Sequence, residues 1–215
     1  MKIALAQTNP IIADIEGNLK TISHLIEKAA QDGADLIVFP EMATIGYPPM
    51  DLVKSTKLID DNLRALESIA LQSKDIAIIC GYVDYDQNHA PMLFNSAAFM
   101  TNGEVASRHH KTLLPQYDVF DELRYFTPAR EHNTVTFRGL TLGITICEDI
   151  WNSLESDEGK LMEQVTYPVD PVSLLAGKSV DMILNLSASP FVKGKNRVRT
   201  EMLCQAAKDH DLSIV

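Results

Sequence analysis

The sequence predicts an α/β domain, and three observations lead to that fold class. Apolar residues recur at three- and four-residue spacing over 19–30 and again over 59–70, which is typical of amphipathic helices. The segments 35–40, with four continuous apolar positions before its proline, and 76–81 follow those helices and predict strands that are covered on both faces. Asn102-Gly103 lies between two further strand-like runs and is a strong hairpin signal. An antiparallel section therefore interrupts the β-α-β alternation.

The other elements follow from the same kinds of local signal. A strand at 2–7 ends at the turn Thr8-Asn9-Pro10, and Gly33 stands where the first helix would end. Asp170 and Pro171 together predict a helix start, since aspartate caps helices and proline favours their first position. The remaining expectations, in chain order, are an ordered loop at 111–133, a hairpin of 134–137 with 140–146, an acidic surface loop at 152–168, a strand at 182–186, a helix at 197–209 and a strand at 212–215.

Composition and charge exclude several classes of protein. The 215 residues fit one domain, and 46% apolar with 22% charged residues is ordinary for a globular chain, not for a disordered, collagen-like or coiled-coil one. Nineteen basic against 29 acidic residues give a formal charge of −10, which repels phosphate backbones. We therefore expect a small-molecule substrate and no nucleic-acid partner.

The cysteines and the amino-terminus bear on location. Cys80, Cys147 and Cys204 are odd in number and far apart, which favours a reducing compartment over a disulfide framework. The apolar run before Thr8 is too short for a signal peptide, and no run approaches the ~20 residues that span a bilayer. We expect a cytoplasmic location and no membrane partner.

Three polar residues follow strands or hairpins, where active sites are usually built. Glu41 comes directly after the strand at 35–40, so we expect its carboxylate to be partly desolvated. Cys147 ends the strand at 140–146 in a setting that resembles a nucleophile elbow. Lys111 follows a hairpin strand. The structural alternatives are a loop salt bridge for the glutamate, a buried apolar role for the cysteine and a solvated charge for the lysine.

Other residues offer rival chemistry. His109 and His110 suggest a metal site or a Cys–His dyad, but neighbours on a strand point to opposite faces and no third ligand lies at metal spacing. We expect no metal. Cys80 in a strand and Cys204 in a helix are rival nucleophiles that are interpreted as core residues. The segment 185–190 carries an amide and two hydroxyls, which suit either a ligand or a capped turn. No glycine-rich phosphate loop occurs in the sequence.

The chain resembles the carbon–nitrogen hydrolase (nitrilase) superfamily over nearly its whole length. The chain order of a strand-end glutamate, a hairpin-end lysine and a strand-end cysteine matches that superfamily. Within it, the chain is similar to the glutaminase domain of glutamine-dependent NAD synthetases. The segments that carry the broader resemblance are Ile3–Gln7, Phe39-Pro40-Glu41, Gly46–Pro49, Lys111–Pro115 and Gly143–Asp149, and those that carry the narrower one are Leu114–Glu122, Cys147–Trp151 and Asn185–Phe191.

The resemblance implies a four-layer α-β-β-α sandwich and a role for each matched residue. Glu41 would be the general base, and Cys147 the nucleophile that forms a γ-glutamyl thioester. Lys111 would stabilise the oxyanion, helped by the backbone N–H of Glu148. The other matched residues are Glu122 beside the lysine, Tyr117 and Ser189 as substrate contacts, Trp151 as a wall of the acyl pocket and Lys195 as partner of the substrate carboxylate.

The implied function is a glutamine amidase that supplies ammonia to a synthetase domain of the same parent chain, for amidation of deamido-NAD. No cofactor is expected for this domain, ATP and Mg²⁺ are expected for the synthetase domain, and a homo-oligomer is expected. A free-standing amidase acting on another small amide or nitrile is the alternative. A non-catalytic interaction module is a third reading, against which the intact Glu41, Lys111 and Cys147 argue.

The end of the sequence raises a further expectation. Residues 212–215 lie inside an apolar strand, whereas sandwiches of this type continue for several more strands. We therefore expect residues 1–215 to be one carbon–nitrogen hydrolase domain truncated at its C-terminus, without the synthetase domain. An isolated piece would be poorly soluble or oligomeric, because a sheet edge and apolar surface would stay uncovered.

Overall fold

The computed structural model describes residues 1–86, 92–117, 119–153 and 167–215. Within these ranges most of the predicted helices and strands are confirmed, with bounds that differ by a few residues. In chain order the elements are β1 (Ile3–Leu5), α1 (Ile15–Gln31), β2 (Leu36–Val38), a 3₁₀ helix (Met50–Lys54), α2 (Thr56–Ala70), β3 (Ala77–Asp86), β4 (Met92–Thr101), β5 (Glu104–His110), a 3₁₀ turn (Glu122–Arg124), β6 (Thr134–Phe137), β7 (Leu140–Ile146), a 3₁₀ helix (Cys147–Ser153), α3 (Pro171–Ala176), β8 (Met182–Leu186), α4 (Lys195–Asp209) and β9 (Ser213–Ile214).

The described strands form two sheets. The first has the order β1-β2-β3-β4-β5, in which β1, β2 and β3 are parallel and β4 runs against both of its neighbours. The second has the order β6-β7-β8-β9, with β6 antiparallel and the others parallel. Both predicted hairpins are confirmed. Their two-residue turns, Asn102-Gly103 and Arg138-Gly139, have positive φ at both positions, as the tight hairpin turns require.

Two layers of helices enclose the two sheets. α1 and α2 pack on the outer face of the first sheet, and α3 and α4 pack on the outer face of the second. The inner faces of the sheets meet in a shared apolar core, which includes Leu36, Val38, Ile79, Ala97, Phe99, Leu142, Ile144, Ile146, Leu184 and Leu186. This arrangement, together with the solved structures reported below, confirms the predicted α-β-β-α sandwich.

Side-chain caps set the helix starts. The carboxylate of Asp14 accepts the N–H of Gly17, so α1 begins before its apolar stripe. The predicted cap at Asp170 is confirmed, because its carboxylate accepts the N–H groups of Val172 and Ser173 and Pro171 occupies the first turn. None of the described helices is long and apolar enough to cross a membrane.

The core assignment of Cys204 is wrong, and the predicted acidic loop lies mostly outside the described ranges. Cys204 is exposed and not a core residue, because the buried side of α4 carries Met202 and Ala206, and a residue two positions after Met202 points the other way around the helix. Cys80 lies fully buried in β3, as expected. Most of the predicted acidic loop at 152–168 lies outside the described residues.

Candidate active site

The strand directions bring the predicted residues to one edge of the sandwich. Because only β4 runs against its neighbours in the first sheet, β2 and β5 end on the same side, where Glu41 and Lys111 follow them. In the second sheet, parallel β7 and β8 end together, at Cys147 and at the segment that contains Ala188. The Ala188 N–H donates to Glu41 Oε2 at 3.0 Å, so the two sheet edges meet at this point.

Glu41 lies deeper than its place in a loop suggested. Its exposed fraction is 1%, because the segment after β2 packs closely over β3. Gly81 permits that approach: a Cβ at this position would lie 2.7 Å from Glu41 Cα and would also collide with the backbone of Pro40 and Met42. The absence of a side chain in β3 is therefore part of what positions this carboxylate.

Replacing Gly81 by alanine is expected to displace the Glu41 segment and to lower both the stability of the protein and any activity that depends on Glu41. The colliding atoms belong to the backbone, which cannot rotate away, and such overpacking costs about 1–3 kcal/mol. Thermal unfolding and turnover would be measured beside Gly177→Ala, whose Cβ would meet atoms no nearer than 3.4 Å. Equal behaviour of the two variants would contradict this account of Gly81.

Lys111 is fully buried between two carboxylates. Its backbone N–H donates to the Asn95 carbonyl at 2.8 Å and its carbonyl accepts the Ala129 N–H at 2.9 Å, so its Cα is held on both sides. Its Nζ donates to Glu41 Oε1 and to Glu122 Oε1, each at 2.8 Å. The structure thus brings the lysine and both predicted glutamates into one network.

The electrostatics of this network keep the lysine charged. Burial lowers the pKa of Lys111, but the charges of Glu41 and Glu122 outweigh it and hold that pKa well above its usual value. Burial also raises the pKa of Glu122, while the lysine opposes that rise. With two carboxylates on one ammonium, the network is a buried anion as long as both are ionised.

Two further side chains join the network, and sequence reasoning gave neither a role. Asn95 Nδ2 donates to Glu41 Oε1 at 2.7 Å and to Glu122 Oε2 at 3.3 Å. Tyr47 OH donates to Glu122 Oε1 at 2.7 Å. The available signal for Asn95 was an amide, next to Ser96, inside the mostly apolar run of β4, since buried amides need partners.

Cys147 stands at a strained turn. It directly follows β7 and has φ 46°, in the left-handed region that a non-glycine residue rarely adopts. Burial raises the pKa of its thiol to about 12; Glu41 raises it too, while Lys111 and a hydrogen bond with Ser187 oppose the rise. At neutral pH the group is therefore a thiol, and a nucleophilic role needs a base beside it.

Glu148 holds two tyrosines through its side chain. Tyr117 OH lies 2.9 Å from both carboxylate oxygens, and Tyr167 OH donates to Oε1 at 3.1 Å. Burial raises the pKa of Glu148 as well as those of Tyr117 and Tyr167. Tyr167 lies near the end of the stretch predicted as an acidic surface loop, where it is half-buried and hydrogen-bonded to the buried Glu148 carboxylate.

The other predicted substrate contacts lie beside this group. Lys195 begins α4, and its Nζ lies 5.2 Å from the centroid of the Trp151 ring. Ser189 is half-buried, one residue after Ala188, whose N–H reaches Glu41. The structure therefore gathers Trp151, Ser189 and Lys195 on segments that adjoin the Glu41–Lys111–Cys147 edge.

The histidine pair lies apart from this network. The ring of His109 is hydrogen-bonded to Ser107 Oγ at 2.9 Å, and burial lowers its pKa to about 4. His110 points to the other face, where it is hydrogen-bonded to Asp84 at 3.1 Å and stacked on Phe94. Among residues 1–86, 92–117, 119–153 and 167–215, no three histidine, cysteine or acidic side chains are grouped to hold a metal ion.

The sequence matches a known family model and several curated proteins. The model described as Carbon-nitrogen hydrolase matches residues 2–156. The glutamine-dependent NAD(+) synthetase of Thermotoga maritima is 36% identical over 217 residues, covering 100% of this chain and 34% of the relative. The protein of the same name from Synechocystis sp. is 36% identical over 218 residues, covering 99% and 38%. The chain thus spans about a third of the length of the curated relatives it matches.

Solved structures show the same likeness. A glutamine-dependent NAD+ synthetase from Acinetobacter baumannii, in complex with ADP, superposes with a TM-score of 0.87 at 34% identity, covering 99% of this chain and 37% of that one. An amidase from Nesterenkonia sp. superposes with a TM-score of 0.78 at 20% identity, covering 100% and 76%. At that identity the second match speaks for the fold alone.

Proposed function

The chain belongs to the carbon-nitrogen hydrolase family, and on that premise we propose that it is a glutamine amidase, the glutaminase part of a glutamine-dependent NAD synthetase. The observation that carries the amidase assignment is the buried Glu41–Lys111–Glu122 network beside Cys147. The named synthetases, which match this chain from end to end at 36% identity, support the choice of glutamine.

The first half of the proposed reaction forms a thioester. Glu41 takes the proton of the Cys147 thiol, and the thiolate sulfur attacks the carbonyl carbon of the substrate side-chain amide. The carbonyl electrons move onto oxygen and give a tetrahedral oxyanion. When this collapses, the C–N bond breaks, the nitrogen takes the proton back from Glu41, and ammonia leaves.

The second half of the proposed reaction hydrolyses the thioester and regenerates the free enzyme. Glu41 removes a proton from a water molecule, whose oxygen attacks the thioester carbon and releases glutamate as the C–S bond breaks. The sulfur recovers the proton from Glu41. One carboxylate therefore acts as base and acid twice, and its burial beside Lys111 places it for both steps.

Lys111 has the donor that the oxyanion needs. An ammonium group carries three hydrogens, and two of them go to Glu41 and Glu122. We assign the third to the oxyanion, together with the backbone N–H of Glu148. Glu122, with Tyr47 and Asn95, holds the ammonium group in place so that this hydrogen is aimed before the substrate arrives.

The side chains beyond Cys147 suit an amino acid substrate. Lys195 beside Trp151 would meet the α-carboxylate, and the Glu148 carboxylate with Tyr117 would meet the α-ammonium group. Ser189 would contribute a hydroxyl to the same pocket. Opposite charges at the two ends of the pocket would favour glutamine over an uncharged amide. With an uncharged amide bound, the Lys195 ammonium and the Glu148 carboxylate would lose hydration without gaining a charged partner.

The partners follow from the relatives' names and remain proposals. Ammonia would pass to a synthetase domain that amidates deamido-NAD, in a cytoplasmic homo-oligomer. ATP and Mg²⁺ are assigned to that domain, because the sequence has no glycine-rich phosphate loop. The alternative is a free-standing amidase for another small amide, since the Glu41–Lys111–Cys147 network alone does not select glutamine.

Covalent labelling tests the proposal and separates it from the alternative. The full-length protein is treated with a glutamine analogue that carries an electrophile in place of the side-chain amide, and the product is examined by mass spectrometry. We expect one label on Cys147, slowed by added glutamine, and none on a Cys147→Ala control. Labelling that glutamine does not slow, or equal labelling by an uncharged acyl analogue, would favour the other amidase. Labelling of Cys80 or Cys204 instead would refute the assignment.

A further inference from the structure

Asp149 is a buried carboxylate that the proposed reaction does not use. Its exposed fraction is 2%, and among the described residues it forms no ion pair. It accepts three backbone hydrogen bonds instead. Oδ1 accepts the N–H groups of Thr112 at 2.9 Å and Leu113 at 2.8 Å, and Oδ2 accepts the N–H of Ile146 at 2.9 Å.

These three donors belong to the two segments that carry the chemistry. Thr112 and Leu113 directly follow Lys111, at the end of β5 in the first sheet, whereas Ile146 directly precedes Cys147, at the end of β7 in the second. One side chain therefore ties the lysine segment of one sheet to the cysteine segment of the other.

Both segments need such a partner. β5 ends at His110, so the N–H groups at 112 and 113 lie beyond the strand ladder, and a buried N–H without an acceptor is costly. Cys147 has a strained φ of 46°, which persists only where the surroundings hold it. Asp149 meets both needs from a position two residues after the cysteine.

A carboxylate is the group that suits this place. Three N–H donors converge on its two oxygens, and an ionised carboxylate accepts at both. An asparagine would turn its NH₂ group toward at least one of these donors. Burial raises the pKa of Asp149 to about 7, and the three N–H groups and the charge of Lys111 oppose that rise.

We propose that Asp149 is a positioning residue that sets the distance and orientation of Cys147 relative to Lys111 through the backbone of both segments. The proposal rests on the proposed amidase function for its kinetic consequence, but the geometry itself is independent of the substrate. Asp149 touches neither substrate nor reacting atoms, so its effect is on kcat and not on substrate affinity.

The test compares Asp149→Asn with a matched control, Asp181→Asn, in the full-length protein. Asp181 Oδ2 accepts the Thr141 N–H at 2.7 Å, so it also bonds the backbone of β7, but at the opposite, exposed end of that strand. Active sites are counted by alkylation of Cys147 with iodoacetamide, and kcat is expressed per reactive thiol. The count is made on protein first freed of unfolded material by gel filtration, because iodoacetamide also alkylates the thiols of unfolded chains. This step removes any loss that comes only from unfolded protein.

For Asp149→Asn we expect kcat per reactive thiol to fall roughly 100-fold with KM changed less than about threefold, since an error of about 1 Å in catalytic geometry costs that much. Asp181→Asn should stay within about twofold of the wild type in both constants, because it is remote from the reacting groups. Asp149→Ala, which loses every acceptor, should be slower still. A lowered melting temperature with unchanged kcat per thiol would overturn the proposal.

A second readout keeps this inference separate from the proposed function. If the wild type does not hydrolyse glutamine, the function is wrong, but alkylation of Cys147 still reports its alignment with Glu41. We expect Asp149→Asn to slow that alkylation at least fivefold, a small part of the roughly 10²–10⁴-fold that a well-positioned base contributes. Alkylation at the wild-type rate would refute the positioning role, whatever the substrate is.

Discussion

Replacing Lys111 by methionine is expected to abolish amidase turnover and to destabilise the protein by about 3–5 kcal/mol. Removal of one partner of a buried ion pair leaves the other uncompensated, and here two carboxylates, Glu41 and Glu122, would share a site without a cation. Loss of an oxyanion donor alone costs about 10²–10³ in kcat. Turnover and denaturant unfolding measure the two effects.

The stability loss should depend on pH with a definite sign. Burial raises the pKa of the Glu122 carboxyl in the folded protein, and without the opposing charge of Lys111 that pKa rises further. A carboxyl whose folded pKa exceeds its unfolded value contributes stability below the unfolded pKa and loses it as pH rises through the folded pKa. The variant should therefore be closest to the wild type near pH 4.5 and furthest from it near pH 8.

Lys57→Met provides the control for this substitution. Lys57 pairs with Asp61 on the exposed face of α2, with 84% of its side chain accessible, so its removal should leave the unfolding midpoint and turnover unchanged. A Lys111→Met protein that unfolds at the wild-type midpoint at both pH values would show that the buried network does not need its cation.

Glu41→Gln is expected to lower kcat by about 10³–10⁴ and to destabilise the protein less than Lys111→Met does, because Glu122 still pairs with the lysine although the new NH₂ group faces the Ala188 N–H. The glutamine oxygen can still accept from Lys111 and Asn95, as Oε1 of the glutamate does. The lost function is proton transfer from the Cys147 thiol, whose pKa burial raises to about 12, and general-base catalysis is worth up to about 10⁴.

The remaining activity of Glu41→Gln should rise with pH. Without a base, the rate follows the thiolate fraction of Cys147, which increases about tenfold per pH unit below the thiol pKa. Removal of the Glu41 charge also lowers the pKa of that thiol, since the charge raises it. A rate profile between pH 6 and 9 measures this slope. A flat profile, or wild-type turnover at pH 7, would exclude Glu41 as the base.

The sequence predicted the secondary structure because its signals there are local. Caps such as Asp170, the hairpin turn Asn102-Gly103 and the apolar stripe of α1 act within a few residues of where they are read. The one wrong core assignment, Cys204, came from a helix whose apolar pattern is weak, so that neighbouring packing alone decided which side is buried.

Some residues of the site could be predicted from the sequence, whereas others are identified only by the tertiary structure. Glu41, Lys111 and Cys147 could be found from the sequence, because each follows a strand and their chain order resembles that of a known superfamily. Asn95 and Tyr47 could not, since their partners lie 54 to 75 residues away and are met only through strand register and sheet packing.

Three adjacent residues also show the difference between what the sequence predicts and what the tertiary structure decides. The sequence Cys147-Glu148-Asp149 does not show which of the three side chains contacts which partner. The 3₁₀ helix that follows β7 points them in different directions. Glu148 reaches two tyrosines, whereas Asp149 reaches the backbone of both sheets. The sequence by itself determined which elements form and which residues end them. The packing of the two sheets decided which side chains meet, because contacts between distant segments depend on the distance and register between sheets and not on any local pattern.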